Sequence, residues 1–99
     1  KPEPMADGYE AQISMVDGFG NLTTNLPWPQ VAGHKLLIVI KGRVIDGLSP
    51  SYGHHDPGAL IALVDSENFL EIAVVNGSAA KELDARVGDP VKVLYKEAD

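Results

Sequence analysis

A polar segment early in the chain carries residue types that could hold a small ligand. The stretch Asp17–Asn25 combines a carboxylate, an aromatic ring and carboxamides. Asp17 can hold an ammonium group, and Phe19 can pack against a base. Asn21 offers the donors and the acceptor that match the edge of an adenine ring. The same side chains equally fit a turn in which they satisfy backbone amides, so the residue types leave both interpretations open.

A second stretch with possible binding chemistry is Ser66–Ala80. Its apolar core predicts a buried strand that runs through Asn76 and Gly77 into a short helix capped by Ser78. Backbone amides at such a helix start can bind the polar edge of a ligand. An ordinary capped connection between a strand and a helix explains the same residues, so both interpretations stay open here too.

The histidines suggest a metal site that their spacing does not support. His54 and His55 are adjacent, Asp56 follows them, and His34 lies earlier in the chain. Neighbouring side chains on a strand point to opposite faces, and no cysteine is present to complete a zinc site. We therefore predict loop and surface histidines, no metal ligands and no bound cofactor.

Composition and charge narrow the class of protein. The chain has 44% hydrophobic and 22% charged residues, as in ordinary globular domains. Its net charge of -6 and its lack of clustered lysine or arginine argue against nucleic-acid binding. The apolar run Leu36–Ile40 is too short to span a bilayer, so no membrane partner is expected. The absence of cysteine suits a reducing compartment, and we expect a cytoplasmic protein.

The hydrophobic pattern has the period of strands. In Tyr9–Val16, the side chains of Ala11, Ile13 and Met15 share one predicted face. A long loop is expected over 47–58, and one short helix from Ser78. The full set of predicted strands is Tyr9–Val16, Leu22–Asn25, Lys35–Lys41, Arg43–Ile45, Ala59–Val64, Phe69–Val75 and Val91–Tyr95. We predict an all-β fold: a small antiparallel barrel or sandwich of six to seven short strands with one short helix.

The two polar stretches together resemble a known family. Asp17–Asn25 resembles the Asp-x-(x)-Phe-Gly-Asn-x-x-Thr-Asn motif of the S-adenosyl-L-methionine hydroxide adenosyltransferase, fluorinase and chlorinase family. Leu70–Ala80 resembles that family's Leu-Glu-Ile-Ala-Val-Asn-Gly-Gly-Ser-Ala-Ala segment, and Val87–Val93 is similar to its closing strand. The resemblance runs from about Gly8 to Tyr95 and implies the C-terminal, adenosyl-binding domain of such an enzyme.

The resemblance implies a substrate site without catalytic residues in this chain. Its seven binding residues would be Asp17, Phe19, Asn21, Tyr52, Ser66, Val75 and Asn76. At the methionine end, Asp17 would meet the ammonium group and Ser66 the carboxylate. Glu67 stands where halogenating members carry an arginine, and this departure favours a hydrolase over a fluorinase.

At the adenine end, the resemblance gives each residue a different role. Phe19 would line the pocket, and Asn21 would bond the adenine edge. Tyr52 would pack on the ring. The backbone near Val75 and Asn76 would complete recognition, although the Val75-Asn76 order departs from the usual Asn-Gly and shifts that contact.

The resemblance also implies the rest of the protein. Residues 1–8, which are Pro-rich, would be a linker from an N-terminal α/β domain, and 9–99 would form the β-domain. The whole enzyme would hydrolyse S-adenosyl-L-methionine to adenosine and methionine as a homotrimer, with the ligand between this domain and a neighbouring subunit's N-terminal domain. The face around Phe19, Trp28 and Tyr52 would then be an interface. The alternative is a free-standing β-barrel module that binds a protein partner and has no catalytic activity.

Overall fold

A computed structural model describes residues 1–53 and 55–96. Within these ranges the chain forms eight strands, one five-residue α-helix and one turn of 3-10 helix at Trp28–Gln30. The strands are β1 (Glu3–Met5), β2 (Gly8–Val16), β3 (Leu22–Pro27), β4 (Leu36–Ile40), β5 (Arg43–Asp46), β6 (Leu60–Val64), β7 (Phe69–Val74) and β8 (Pro90–Tyr95). The helix α1 spans Ala79–Leu83. The predicted all-β fold with one short helix is confirmed.

The strands form one antiparallel sheet that curls into a nearly closed barrel. Seven strands follow the order β5-β4-β8-β2-β3-β7-β6, and β1 pairs with β2 beside this path. The two ends of the path approach each other just after β5, where the Ser49 backbone N–H donates to the Ala62 carbonyl of β6 at 2.7 Å. This near closure leaves little unpaired strand edge.

The barrel encloses the main hydrophobic core. Alternate residues of β2, β4 and β8 point into it, as the period of two requires. Ile13, Ile38 and Val93 are each buried there almost completely. A smaller apolar cluster lies on the other face of the β6–β7 hairpin, around Ile61, Leu63, Ala73 and Val75. Because both faces of this hairpin are covered, its sequence is apolar at nearly every position.

Strand β2 departs from the predicted alternation at its end. Ile13 pairs with Thr24 but Met15 pairs with Thr23, so one extra residue enters β2 between them. Such a β-bulge reverses the facing of every later residue. The prediction that Met15 shares a face with Ala11 is therefore wrong: Met15 is 53% exposed. The bulge turns this side chain toward the rim where the polar segment begins.

The segment predicted as a linker contains strand β1. Glu3–Met5 forms β1, which pairs with β2 in the register Glu3↔Glu10. Gly8 already belongs to β2 and pairs with Leu94. A Cβ at Gly8 would overlap the Val93 carbonyl oxygen, so the close approach of β8 requires glycine here. Part of 1–8 therefore extends the sheet.

Helix α1 begins where the sequence predicts. Ser78 is its N-cap, and the Ser78 hydroxyl oxygen accepts a hydrogen bond from the Lys81 N–H at 3.2 Å. Asp84 ends the helix in the left-handed region, with φ of 51°. No helix in the described part of the chain is long and apolar enough to cross a membrane.

Candidate functional site

The β2–β3 turn is held by the carboxylate of Asp17. Asp17 Oδ1 accepts hydrogen bonds from the backbone N–H groups of Phe19 and Asn21, both at 2.9 Å, and Oδ2 accepts one from Asn21 Nδ2 at 3.0 Å. Burial opposes ionisation, but these hydrogen bonds outweigh it and hold the pKa of Asp17 below its ordinary value. The Asp17 carboxylate therefore satisfies backbone and side-chain N–H groups of the turn, and about one of its four acceptor positions remains for a ligand.

The same turn packs against the start of α1. The Gly20 carbonyl accepts a hydrogen bond from the Ala80 N–H at 3.0 Å. Gly20 has φ of 85°, and a Cβ at this position would overlap the Ser78 side chain. Two of the helix-start amides are therefore engaged within the protein: Ala80 with the turn and Lys81 with Ser78.

Five of the seven predicted site residues line one cleft of about 490 Å³. We call it the amide cleft; its lining residues are Phe19, Asn21, Tyr52, Val74, Val75, Asn76 and Gly77. They come from the β2–β3 turn, the loop before β6 and the segment that follows β7. Phe19 is 82% exposed and Tyr52 is 41% exposed, so both rings present uncovered apolar surface at the rim.

The polar groups of the amide cleft differ in what they can offer. Asn21 uses one N–H on Asp17, which leaves its second N–H and its Oδ1. The Val75 backbone is engaged on both sides, since its N–H donates to Ala59 and its carbonyl accepts from Gly58. Asn76 is exposed, with φ of 56°. Of these two neighbours, Asn76 is therefore the better placed to bond a ligand.

The other two predicted residues, Asp17 and Ser66, line a neighbouring cleft of about 660 Å³. We call it the acidic cleft, because four carboxylates border it: Asp17, Asp65, Glu67 and Glu71. No lysine, arginine or histidine is among the described residues that line it. Such a surface attracts cationic groups and repels anions.

Glu71 is the residue of this region that sequence reasoning missed. It lies in the middle of β7 and is only 8% exposed. Burial raises the pKa of the Glu71 carboxyl, as do the charges of Asp65 and Asp17, against the lowering effect of a hydrogen bond from Tyr52. The sequence contains a sign of this role, because Glu71 is the one acidic residue in the otherwise apolar strand Phe69–Val74. Charged side chains are rarely buried in such strands, and those that are buried often belong to functional sites.

A hydrogen bond joins the two clefts through Glu71. The Tyr52 hydroxyl donates to Glu71 Oε2 at 3.3 Å. Burial and the nearby Glu71 charge raise the pKa of Tyr52, so the hydroxyl keeps its proton and remains a donor at neutral pH. Tyr52 borders the amide cleft and Glu71 borders the acidic cleft.

The last two residues of the polar segment serve the barrel. Thr24 Oγ1 donates to the Leu70 carbonyl at 2.8 Å, and Asn25 Oδ1 accepts from the Gln12 N–H at 3.0 Å. These bonds cross between strands beside the β2 bulge, where regular ladder bonds are interrupted. Their place in the motif thus has a structural explanation.

Two further expectations concern aromatic and histidine residues. Trp28 is half-buried, packs against the main core and borders a different cleft from Phe19 and Tyr52. His34 stacks on Tyr95 with ring centroids 3.9 Å apart. His54 lies outside the described residues. Within the ranges 1–53 and 55–96, no group of three or more His, Asp or Glu side chains could hold a metal ion.

Comparison with known proteins identifies the family. The family model described as "SAM hydroxide adenosyltransferase C-terminal domain" matches residues 11–92. The chain belongs to this family. The match contains both polar stretches and both clefts, so the resemblance first noted in the motifs is confirmed.

Curated relatives carry the corresponding activity in their names. The chain is 32% identical over 93 residues to a protein of Thermus thermophilus named (R)-S-adenosyl-L-methionine hydrolase, covering 94% of this chain and 35% of that protein. It is 30% identical over 99 residues to a protein of the same name from Salinispora arenicola, covering 92% of this chain and 34% of that protein. The chain thus spans about a third of the length of these relatives.

Solved structures of similar proteins share the fold. An uncharacterized conserved protein from Thermotoga maritima aligns with a TM-score of 0.79 at 26% identity, covering 95% of this chain and 38% of that one. A conserved hypothetical protein from Thermus thermophilus aligns with a TM-score of 0.71 at 32% identity, and the alignment covers 86% of this chain and 32% of that one. The barrel of this family domain is therefore part of larger chains in both cases.

The packing of the turn on α1 predicts unequal effects for its two glycines. Gly20→Ala should lower the free energy of unfolding by about 1–3 kcal/mol, because it adds both a clash with Ser78 and backbone strain at positive φ. Gly18→Ala is the matched control: a Cβ there has no neighbour within 4 Å, and we expect a change within about 0.5 kcal/mol. Urea denaturation measures both, and equal losses would contradict the proposed packing.

Because the charge of Glu71 is buried, we predict that the Glu71→Gln variant is more stable than the wild type, by an amount that depends on pH. A raised pKa means that the folded state holds the proton more tightly than the unfolded chain, so ionisation of Glu71 at higher pH costs stability. Glu71→Gln removes the charge and keeps an oxygen for the Tyr52 hydroxyl. Its melting temperature should exceed that of the wild type at pH 7, and the difference should shrink as the pH falls toward the ordinary glutamate pKa of 4.5.

The exposed acid Glu67 in the same cleft supplies the control for this measurement. Glu67→Gln should change the melting temperature little, since an exposed charge keeps its hydration. An advantage of Glu71→Gln that grows on acidification would show that burial of the Glu71 charge is not the cause.

Proposed function

We propose that this chain is the adenosyl-binding domain of an enzyme that hydrolyses S-adenosyl-L-methionine to adenosine and L-methionine. The single observation that carries the proposal is the amide cleft, because five residues from three separate segments of the family pattern border one cavity. The names of the curated relatives support the same reaction.

The amide cleft would take the adenine ring. Tyr52 and Phe19 offer two exposed aromatic surfaces, and stacking of a base on such a ring contributes about 1–3 kcal/mol. The remaining N–H and Oδ1 of Asn21 match an acceptor and a donor on the adenine edge. Asn76, which is exposed, would supply the further contact, since the Val75 N–H already donates to Ala59 and the Val75 carbonyl already accepts one hydrogen bond from Gly58.

The acidic cleft would take the methionine end of the substrate. Its carboxylates favour the ammonium group, which Asp17 would meet at its remaining acceptor position, and they favour the sulfonium charge. The Ser66 hydroxyl would donate a hydrogen bond to the substrate carboxylate, whereas the Glu67 carboxylate would repel that group. The excess of negative charge also disfavours a halide ion and favours neutral water as the nucleophile that attacks ribose C5′.

The catalytic groups would come from outside this chain. None of the seven site residues is a base suited to activating water at C5′, so this domain would act by binding and orienting the substrate. We place the catalytic groups in an N-terminal α/β domain of a neighbouring subunit in a cytoplasmic homotrimer. The exposed Phe19 and Met15 at the rim would be covered by that neighbour.

The proposal predicts that the two rings matter for binding and little for folding. Tyr52→Ala and Phe19→Ala, made in the full-length protein, should each raise the adenosine dissociation constant about tenfold or more, using about 1.4 kcal/mol per decade. Phe19→Ala should not lower the melting temperature appreciably, since this ring is 82% exposed. Tyr52→Ala also removes the hydrogen bond to Glu71, so its melting temperature reports that loss as well. Calorimetric titration with adenosine, paired with thermal melts, measures both quantities.

A matched control comes from an exposed apolar side chain away from both clefts. Val44 in β5 is 62% exposed, and Val44→Ala should leave adenosine affinity unchanged. Asn21→Ala separates an effect on binding from an effect on folding less well, because it also removes a hydrogen bond to Asp17. Normal adenosine binding by both ring variants would refute the proposed adenine site and favour a protein-interaction module.

A further inference from the structure

The loop between β5 and β6 is fixed to the barrel at its two ends. At its start, the Ser49 N–H donates to the Ala62 carbonyl at 2.7 Å. At its end, the Gly58 N–H donates to the Val75 carbonyl at 2.7 Å. Tyr52 stands between these anchors, on the stretch of loop that borders the amide cleft.

Between the anchors, the loop has one described hydrogen bond to the barrel. The Gly53 N–H bonds to the Ser51 hydroxyl and the His55 N–H bonds to the Tyr52 carbonyl, so both of these bonds stay within the loop. Among the residues that the structure describes in 50–57, the bond from the Tyr52 hydroxyl to Glu71 is the one that reaches a strand. The Tyr52 side chain is therefore tied to strand β7 by its hydrogen bond to Glu71.

Glu71 is a costly residue to place at this position. It is buried in a strand that is paired on both sides, and the charges that act on it, those of Asp65 and Asp17, are also negative. None of the ion pairs among the described residues includes Glu71. An apolar residue would fit the pattern of β7 without this charge, so the stability of the barrel does not explain a glutamate here.

We propose that Glu71 is a positioning residue for the nucleoside: it accepts the Tyr52 hydroxyl bond and thereby holds the Tyr52 ring over the amide cleft. This role rests on the proposed function, since the ring must receive adenine. Glu71 itself borders the other cleft, so it acts on adenine through Tyr52. A ring fixed before the ligand arrives loses less conformational freedom on binding, and this is the source of the gain in affinity.

The test uses adenosine and three variants of the full-length protein. Adenosine lacks the methionine end, so a change in its affinity cannot come from the contacts that the acidic cleft would make with the methionine group. Tyr52→Phe removes the donor and Glu71→Leu removes the acceptor. Each should weaken adenosine binding about three- to tenfold, as loss of one hydrogen bond would. Glu71→Gln keeps an acceptor oxygen and should bind adenosine within about twofold of the wild type.

Two readouts separate positioning from a merely structural role. The double variant Tyr52→Phe with Glu71→Leu should bind no more weakly than either single variant, because both changes break the same bond. Glu71→Leu should also melt at or above the wild-type temperature, since it removes a buried charge, while it loses affinity. A loss of affinity that follows a loss of stability would overturn the proposal.

The remaining outcomes distinguish this inference from the proposed function. Wild-type protein that fails to bind adenosine would overturn the proposed function and this inference with it. Wild-type protein that binds adenosine, with Tyr52→Phe and Glu71→Leu equally tight, would overturn the positioning role alone. Additive losses in the double variant would do the same. If Glu71→Leu does not fold, Tyr52→Phe decides the question, because its hydroxyl is the other half of the same bond.

Discussion

The close contact between Gly20 and Ser78 is the constraint on which the candidate site depends. It joins the β2–β3 turn to the start of α1 so tightly that residue 20 can carry no side chain. The turn brings Phe19 and Asn21, and the segment before α1 brings Asn76, so this one contact assembles most of the amide cleft. The Asp17 hydrogen bonds then hold the turn in a single shape. A binding surface made of loops is thereby fixed to a rigid barrel.

The two clefts have opposite chemical character, and this difference follows from the strands that form them. The amide cleft lies where loops leave the barrel, and it combines apolar rings with carboxamides. The acidic cleft lies along β2, β3 and the β6–β7 hairpin, and it gathers carboxylates. A ligand with a flat, polar-edged ring at one end and a positive charge at the other fits this pair. S-adenosyl-L-methionine, which the names of the curated relatives contain, has that form, and this agreement supports the proposed substrate.

Most of the barrel could be predicted from the sequence because its strands alternate cleanly or are wholly apolar. The start of α1 at Ser78 was equally predictable, since an N-cap serine is a local signal. The bulge after Ile13 was not, because an extra residue in β2 is set by the pairing with β3 rather than by β2 itself. The pairing of Glu3–Met5 was also missed, because the two prolines nearby suggested a linker. A strand can form there in spite of them, since edge strands tolerate proline.

The sequence could predict which residues border the two clefts, but it could not predict the contacts that each of them makes. Spacing identified Asp17 and Asn21 but could not show that they bond to each other and so stabilise the turn. The sequence offered Val75 and Asn76 as equals, whereas the loop before β6 occupies the Val75 backbone. Such assignments depend on tertiary neighbours that are distant in the chain.

The most direct test of the central claim is a crystal structure of the full-length protein with adenosine bound. We expect the adenine ring in the amide cleft, against Tyr52 and Phe19, with its polar edge toward Asn21 and Asn76 and its ribose toward the acidic cleft. Adenosine bound at another place, with this cleft open to solvent, would contradict it.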